Sequence, residues 1–156
     1  MGVDPGLAST GYGVISAEGS RIVHIAHGVI TTDNSQSSGD RLSRIFDAVT
    51  ELVAQYEPRS AGIESLYFAS NVTSAIPVAQ ARGVVLLAFA RAGVPAAEYP
   101  PQAIKQALVG QGRADKKQVA EFVQLLLGLK HAPSPDHAAD ALAAAVCYHH
   151  SCSEFL

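Results

Sequence analysis

An acidic residue closes a very short apolar stretch and is followed at once by a chain reversal, in Gly2-Val3-Asp4-Pro5-Gly6, before the chain continues through Leu7 to Gly11-Tyr12-Gly13-Val14. Proline and glycine in succession favour a tight turn, so Asp4 is left at the exposed end of one strand while the next begins. A carboxylate placed there adds little to folding and is suited to holding a metal ion or a phosphate-bound metal. Strand, turn, strand is the seed of the fold, and the later residues that join Asp4 decide its use.

A chain of 156 residues has room for one well-buried core and too little for two ordinary domains, so a single domain over 1–156 is expected. Hydrophobic residues at 48% and charged ones at 16% fit a globular protein, and no apolar run approaches the length of a bilayer span. Asp4 arrives too early for a signal peptide, and with no membrane association foreseen a cytoplasmic location is expected. The net charge of −3 argues against a protein that coats nucleic acid non-specifically. It leaves room for a local basic surface, and Lys105, Arg113, Lys116 and Lys117 supply one.

Hydrophobic periodicity orders the rest. Gly11 to Ser16 and Arg21 to Thr31 alternate as strands joined by a hairpin turn at Glu18-Gly19-Ser20, so the chain opens with a three-stranded meander. Leu42, Ile45, Phe46, Val49, Leu52 and Val53 repeat at helical spacing up to Pro58, and Ser60 to Ile63 is a short apolar run ending in a second carboxylate, Glu64. Asn71 is placed to cap a long helix to Ala92, apolar on every side from Val84 to Ala90, as for a helix covered twice. A strand from Val94 to Tyr99, a short helix started by Pro100-Pro101 and running to Val109, a helix around Val119 to Leu127, and a last helix from Asp136 to about His150, launched by Ser134 as cap and Pro135 as first helical position, complete the order. The expected fold is α/β, a mixed five-stranded sheet with helices on both faces.

Asp4 and Glu64 each end an apolar strand, and if those strands are parallel neighbours the two carboxylates converge. Like charges converge at a cost unless a cation fills the gap. The last helix brings Asp136, His137 and Asp140 in its first two turns. Asp136 is explained by the helix dipole alone. Asp140 lies among Ala138, Ala139, Ala141, Leu142, Ala143 and Ala144 and needs a partner there, either a lysine or arginine, or a metal shared with Asp4 and Glu64. Converging carboxylates of this kind hold paired Mg2+ or Mn2+ ions about 4 Å apart for phosphoryl transfer. Cys147-Tyr148-His149-His150-Ser151-Cys152 offers zinc-type ligands, but four within six residues cannot readily surround one tetrahedral ion, and a disulfide is not expected in a reducing compartment.

Taken in order, Asp4-Pro5-Gly6 with Gly11, Ile63-Glu64 followed by Asn71, Gln80-Ala81-Arg82-Gly83, Lys105-Gln106 with Val109-Gly110, Lys116 with Gln118-Val119, and Ala138-Ala139-Asp140-Ala141-Leu142-Ala143 span nearly the whole chain. In this the chain resembles the RuvC family of Holliday junction resolvases, with a ribonuclease H-like fold. The resemblance implies a crossover junction endodeoxyribonuclease that cuts a four-way DNA junction by paired nicks, leaving ends with 5′-phosphate and 3′-hydroxyl groups, in recombination and repair. It implies a homodimer, two Mg2+ or Mn2+ ions per site, and a branch-migration complex (RuvA, RuvB) as partner. The catalytic and metal-holding positions of the family fall on Asp4, Glu64, His137 and Asp140, and the third departs from the aspartate of many members. The resemblance favours His137 over Asp136 as ligand. Lys105 and Lys116 match basic positions, Arg113 and Lys117 extend them, and Tyr67 matches an aromatic that stacks on an unpaired base at the crossover. Lys117 reads equally well as a solvated surface lysine, and Phe68 as core. Relatives carry a longer strand before the aspartate, so Met1-Gly2-Val3 fits a truncated or differently started chain whose hold on Asp4 is weaker.

Two other readings start from the same residues. Asp-x-Gly followed by Thr10-Gly11 also opens the sugar kinase, actin and chaperone ATPase superfamily, which needs two lobes and a second phosphate loop that this length does not hold. A junction-binding scaffold with a vestigial site is disfavoured because all four ligand positions carry competent residues.

Overall fold

The structure, a computed structural model, describes residues 1–19, 21–65, 72–110 and 112–153. Its elements are β1 (Gly2–Asp4), β2 (Ser9–Glu18), β3 (Arg21–Thr31), α1 (Ser38–Tyr56), β4 (Ala61–Glu64), α2 (Val72–Arg91), β5 (Ala96–Tyr99), α3 (Pro101–Val109), α4 (Lys116–Leu126) and α5 (Asp136–Ser153). The strands form one five-stranded sheet in the order β3-β2-β1-β4-β5. β2 is antiparallel to β1 and β3, whereas β4 runs parallel to β1 and to β5. This is the mixed sheet expected from the sequence.

The short β1 is held by its position. Though only three residues long, it sits in the middle of the sheet, paired to β2 on one side and β4 on the other. Because β1 and β4 are parallel, Asp4 and Glu64 end their strands on the same edge. The turn after Asp4 is fixed by Thr10, a fully buried polar residue whose Oγ1 donates to the Gly6 carbonyl at 2.8 Å and accepts from the Gly6 amide at 3.3 Å.

The two faces of the sheet are built differently. On one, Val3, Val14, Ile30 and Ile63 pack with Ile45 and Val49 of α1 and Val85 and Phe89 of α2, all buried. Each such side chain contributes about 1.5–3 kcal/mol on leaving water. On the other face lies α5, and where it crosses the middle of the sheet the strand residues beneath it are glycines. Gly13, Gly2 and Gly62 are cross-strand neighbours on β2, β1 and β4 and form a row with no side chains. A Cβ on Gly2 would collide with the Ala141 carbonyl oxygen, one on Gly62 with that of Ala144, and one on Gly13 would stand 2.8 Å from the Leu142 amide. The facing side of α5 is correspondingly small, with Ala138, Ala141, Ala144 and Ala145 buried. α3 and α4 pack outside α5 through Ile104, Leu108, Val119 and Val123.

Gly2→Ala and Gly62→Ala are expected to cost about 3 kcal/mol or more each, because the obstacle is helix backbone that cannot rotate away. Gly39→Ala in the first turn of α1, where the added carbon meets nothing nearer than 3.8 Å, is expected to be neutral or stabilising. Urea unfolding of the three variants checks this; equal midpoints would show that the glycine row does not hold α5.

Candidate active site

Three carboxylates meet at the sheet edge. Asp4 and Glu64 arrive from adjacent parallel strand ends and Asp140 from the second turn of α5, and each offers an oxygen within 4.8 Å of the others. α5 can deliver Asp140 there because its backbone rests on the glycine row. The same contact places His137: a Cβ on Gly11, the residue paired with Asp4, would collide with the His137 carbonyl. From that position the exposed His137 ring puts Nδ1 2.6 Å from Asp4 Oδ2. His137 thus joins the site through Asp4, at the margin of the carboxylate group.

The electrostatics follow from crowding. Burial, with Asp4 and Asp140 adding to it, pushes the Glu64 carboxyl up to about 8. Burial also raises Asp4, against the opposing hydrogen bond and charge of His137. Two carboxyls held above their usual range favour a proton or a cation in the gap, and an all-oxygen set with one imidazole beside it fits a hard divalent ion.

Lys116 lies closest of the expected basic residues. Its Nζ donates to Asp140 Oδ2 at 3.1 Å, so Asp140 has the lysine partner and the acidic neighbours together, where the sequence left these as alternatives. That contact raises the Lys116 ammonium above its ordinary value, chiefly through the charge of Asp140. Lys105, Lys116, Glu64 and Asp140 line a cavity of about 220 Å³ between α3, α4 and the sheet edge. Arg113 is exposed on the connection between α3 and α4, and Lys117 turns to Glu121 at 3.8 Å on the outer face of α4. Tyr67, with Phe68 and Asn71, lies outside the described residues. Asp136 is exposed at the start of α5. In the last helix Cys147 is buried, His149 Nε2 faces the Gly19 carbonyl at 3.0 Å and His150 Nδ1 the Ala107 carbonyl at 3.4 Å.

Comparison with known proteins decides the family. The sequence profile described as "Crossover junction endodeoxyribonuclease RuvC" matches residues 1–149. The Treponema denticola protein of that name is 56% identical over 146 residues, which cover 94% of this chain and 82% of the relative. The chain belongs to the RuvC family. Its Rubrobacter xylanophilus relative is 52% identical over 148 residues, 95% of this chain and 83% of that one. Thermus thermophilus RuvC superposes with a TM-score of 0.91 at 36% identity, covering 99% of this chain and 95% of the Thermus chain. The same protein in complex with a Holliday junction substrate gives 0.90 at 34% identity, over 98% and 94% of the two chains. The resemblance read from the motifs is borne out, and with it the ribonuclease H-like fold.

Gln106 and Arg82 stand in the motifs with no role assigned to them and the glycine row goes unread in the sequence, and the structure gives each a part. Gln106 ties the end of α3 to the basic connection, accepting from the Gly112 amide and donating to the Gly110 carbonyl, both at 3.0 Å. Arg82 of α2 grips Glu98 of β5 through both carboxylate oxygens, one at 2.7 Å from Nη2, and so fixes α2 against the strand beside Glu64. The glycine row is the third such feature. Gly13, Gly2 and Gly62 come from three strands and become one row facing the alanine-rich helix only through the strand register.

The raised Glu64 value fixes the sign of a pH effect. In the unfolded chain Glu64 loses its proton near 4.5 and in the folded chain near 8, so between these the native state binds the extra proton and stability falls as pH rises. In EDTA, the melting temperature is expected to decline from pH 5 to 8 and the decline to flatten in Glu64→Gln. Parallel pH profiles for the two proteins would contradict it.

Proposed function

We propose that this protein is a crossover junction endodeoxyribonuclease that cuts four-way DNA junctions by symmetric paired nicks, in recombination and repair, and that residues 1–156 act as one nuclease domain. The convergence of Asp4, Glu64 and Asp140 at one sheet edge in a chain of this family carries the reading. In it, Asp4, Glu64 and Asp140 hold two Mg2+ or Mn2+ ions, with His137 as the fourth ligand position. Bound there, such ions supply an activated water and stabilise the leaving oxygen of a phosphodiester. Asp4 is the central carboxylate of the set, adjacent to Glu64 on the sheet and to His137 across the gap. Lys105 and Lys116 stand beside the cluster to receive backbone phosphates, Arg113 and Lys117 extend the basic surface, and Tyr67 stacks on an unpaired base. No helix among the described residues is long and apolar enough to cross a membrane, in keeping with action on DNA in the cytoplasm beside the branch-migration proteins RuvA and RuvB.

A labelled synthetic junction tests this. Wild type is expected to nick it with Mn2+ at least as fast as with Mg2+, since His137 adds a nitrogen donor, while Asp4→Asn and Glu64→Gln bind the junction and nick at least ~100-fold more slowly, as for loss of charge stabilisation at the reacting phosphate. Equal nicking by all three proteins sinks the assignment, and full activity with Mg2+ alone removes His137 as ligand.

Two symmetric cuts need two sites, and a homodimer formed through α2 provides them. Ile76, Gln80, Gly83, Leu87 and Ala90 are exposed and recur at steps of four and three, which is one stripe of the helix. Ile76 and Leu87 are each more than half exposed in the lone chain. Sedimentation of wild type is expected to give a dimer and of Leu87→Glu a monomer; a monomeric wild type at micromolar concentration excludes this interface.

A further inference from the structure

Lys116 occupies the carboxylate cluster in a way that a general DNA-contacting lysine need not. It is the first residue of α4, and its backbone is pinned by a reciprocal cap. Asp115 accepts from the Gln118 amide at 2.8 Å, and the Gln118 side chain accepts from the Asp115 amide at 3.0 Å. Ala114, just before, is buried. From this fixed root the four-carbon stem reaches inward, so that a side chain 67% exposed ends on a carboxylate only 22% exposed. Lys105 lines the same cavity yet forms no ion pair among the described residues. The ammonium therefore sits on an oxygen of the carboxylate that a divalent ion would share with Asp4 and Glu64.

We propose that Lys116 is a built-in competitor for the divalent cation: its ammonium neutralises Asp140 in the metal-free protein and must leave when the ion enters. This rests on the metal-dependent reading given above. A monovalent ammonium and a divalent ion on one carboxylate repel each other, and the exposed stem gives the ammonium somewhere to go. Once displaced, it stands at the cavity mouth where a DNA phosphate would replace Asp140 as its partner. Binding of metal and of phosphate then favour each other, since each removes the lysine from the same oxygen, and such coupling is reciprocal.

Mn2+ binding to the DNA-free protein, followed by the electron paramagnetic resonance signal of free Mn2+, tests this without any turnover. Lys116→Met is expected to bind Mn2+ about three- to fivefold more tightly than wild type, the change that loss of a partly exposed ion pair brings. Lys116→Arg, which keeps the charge, and Lys105→Met, which removes a charge from the same cavity without breaking an ion pair, are expected to stay within about twofold of wild type. Thermal melts in EDTA establish that each variant is folded before titration. Unchanged or weaker binding by Lys116→Met overturns the proposal, as does equal tightening by Lys105→Met, which would make the effect one of general charge. Failure of wild type and Lys116→Met alike to bind Mn2+ more tightly than Asp4→Asn overturns the metal-site reading itself and the competition with it.

Discussion

Everything at this site depends on how closely one helix can approach a sheet. Side chains ordinarily stand between a helix and the strands below it, but α5 rests on Gly13, Gly2 and Gly62, where added carbons would collide with its backbone. The alanines of α5 complete the fit from the other side. The gain is positional: α5 comes near enough to the sheet for Asp140 to meet residues that end the strands. A glycine strand interior is costly in chain entropy and gives up side-chain burial. The opposite face buries Phe89, Ile45, Ile63 and Val49 directly against the strands, whereas on the α5 side the large buried side chains, Leu142, Val146 and Val123, belong to the helices rather than to the glycine row.

Concentrating carboxylates at the sheet edge works against the fold, which is why the cluster is accompanied by opposing charge. Glu64 is pushed to about 8 and Asp4 upward as well, so the site resists holding its full negative charge unaided. His137 on Asp4 and Lys116 on Asp140 relieve this at two different carboxylates. Their roots are fixed by different devices. His137 is set by the α5 backbone lying over Gly11, and Lys116 by the cap at the start of α4. A site strained by like charge and served by side chains on stiff backbone is prepared for a cation and rigid enough to place it.

Much of this was legible in the sequence because its signals are local. Asp4 before Pro5-Gly6 and Glu64 after an apolar run mark strand ends, and Asp140 stood out as an acid on an otherwise apolar helix face. The glycine row was hidden for a different reason: Gly2, Gly13 and Gly62 are scattered in sequence and meet only through the register of three strands. The partner of Lys116 was hidden likewise, 24 positions away in another helix. At the sheet's edge a bulge at Ile25 lets His24 and His27 share a face and approach to 2.7 Å, although strict alternation from Arg21 puts them on opposite faces. Local chemistry is read from spacing; register is not.

His137 shows how a departure from the family pattern can fit its setting. An aspartate at that position would bring a further negative charge to a cluster in which Asp4 and Glu64 are already raised. Imidazole meets Asp4 with a ring nitrogen at 2.6 Å and lowers rather than raises the carboxyl it touches. The ring is exposed, while the carboxylate it meets is largely covered. The metal-free cluster therefore holds one fewer like charge, with Asp4 tied to α5 as well as to its own strand. A short β1 tolerates the central carboxylate because it is bonded on both sides, and His137 adds a third tie from above.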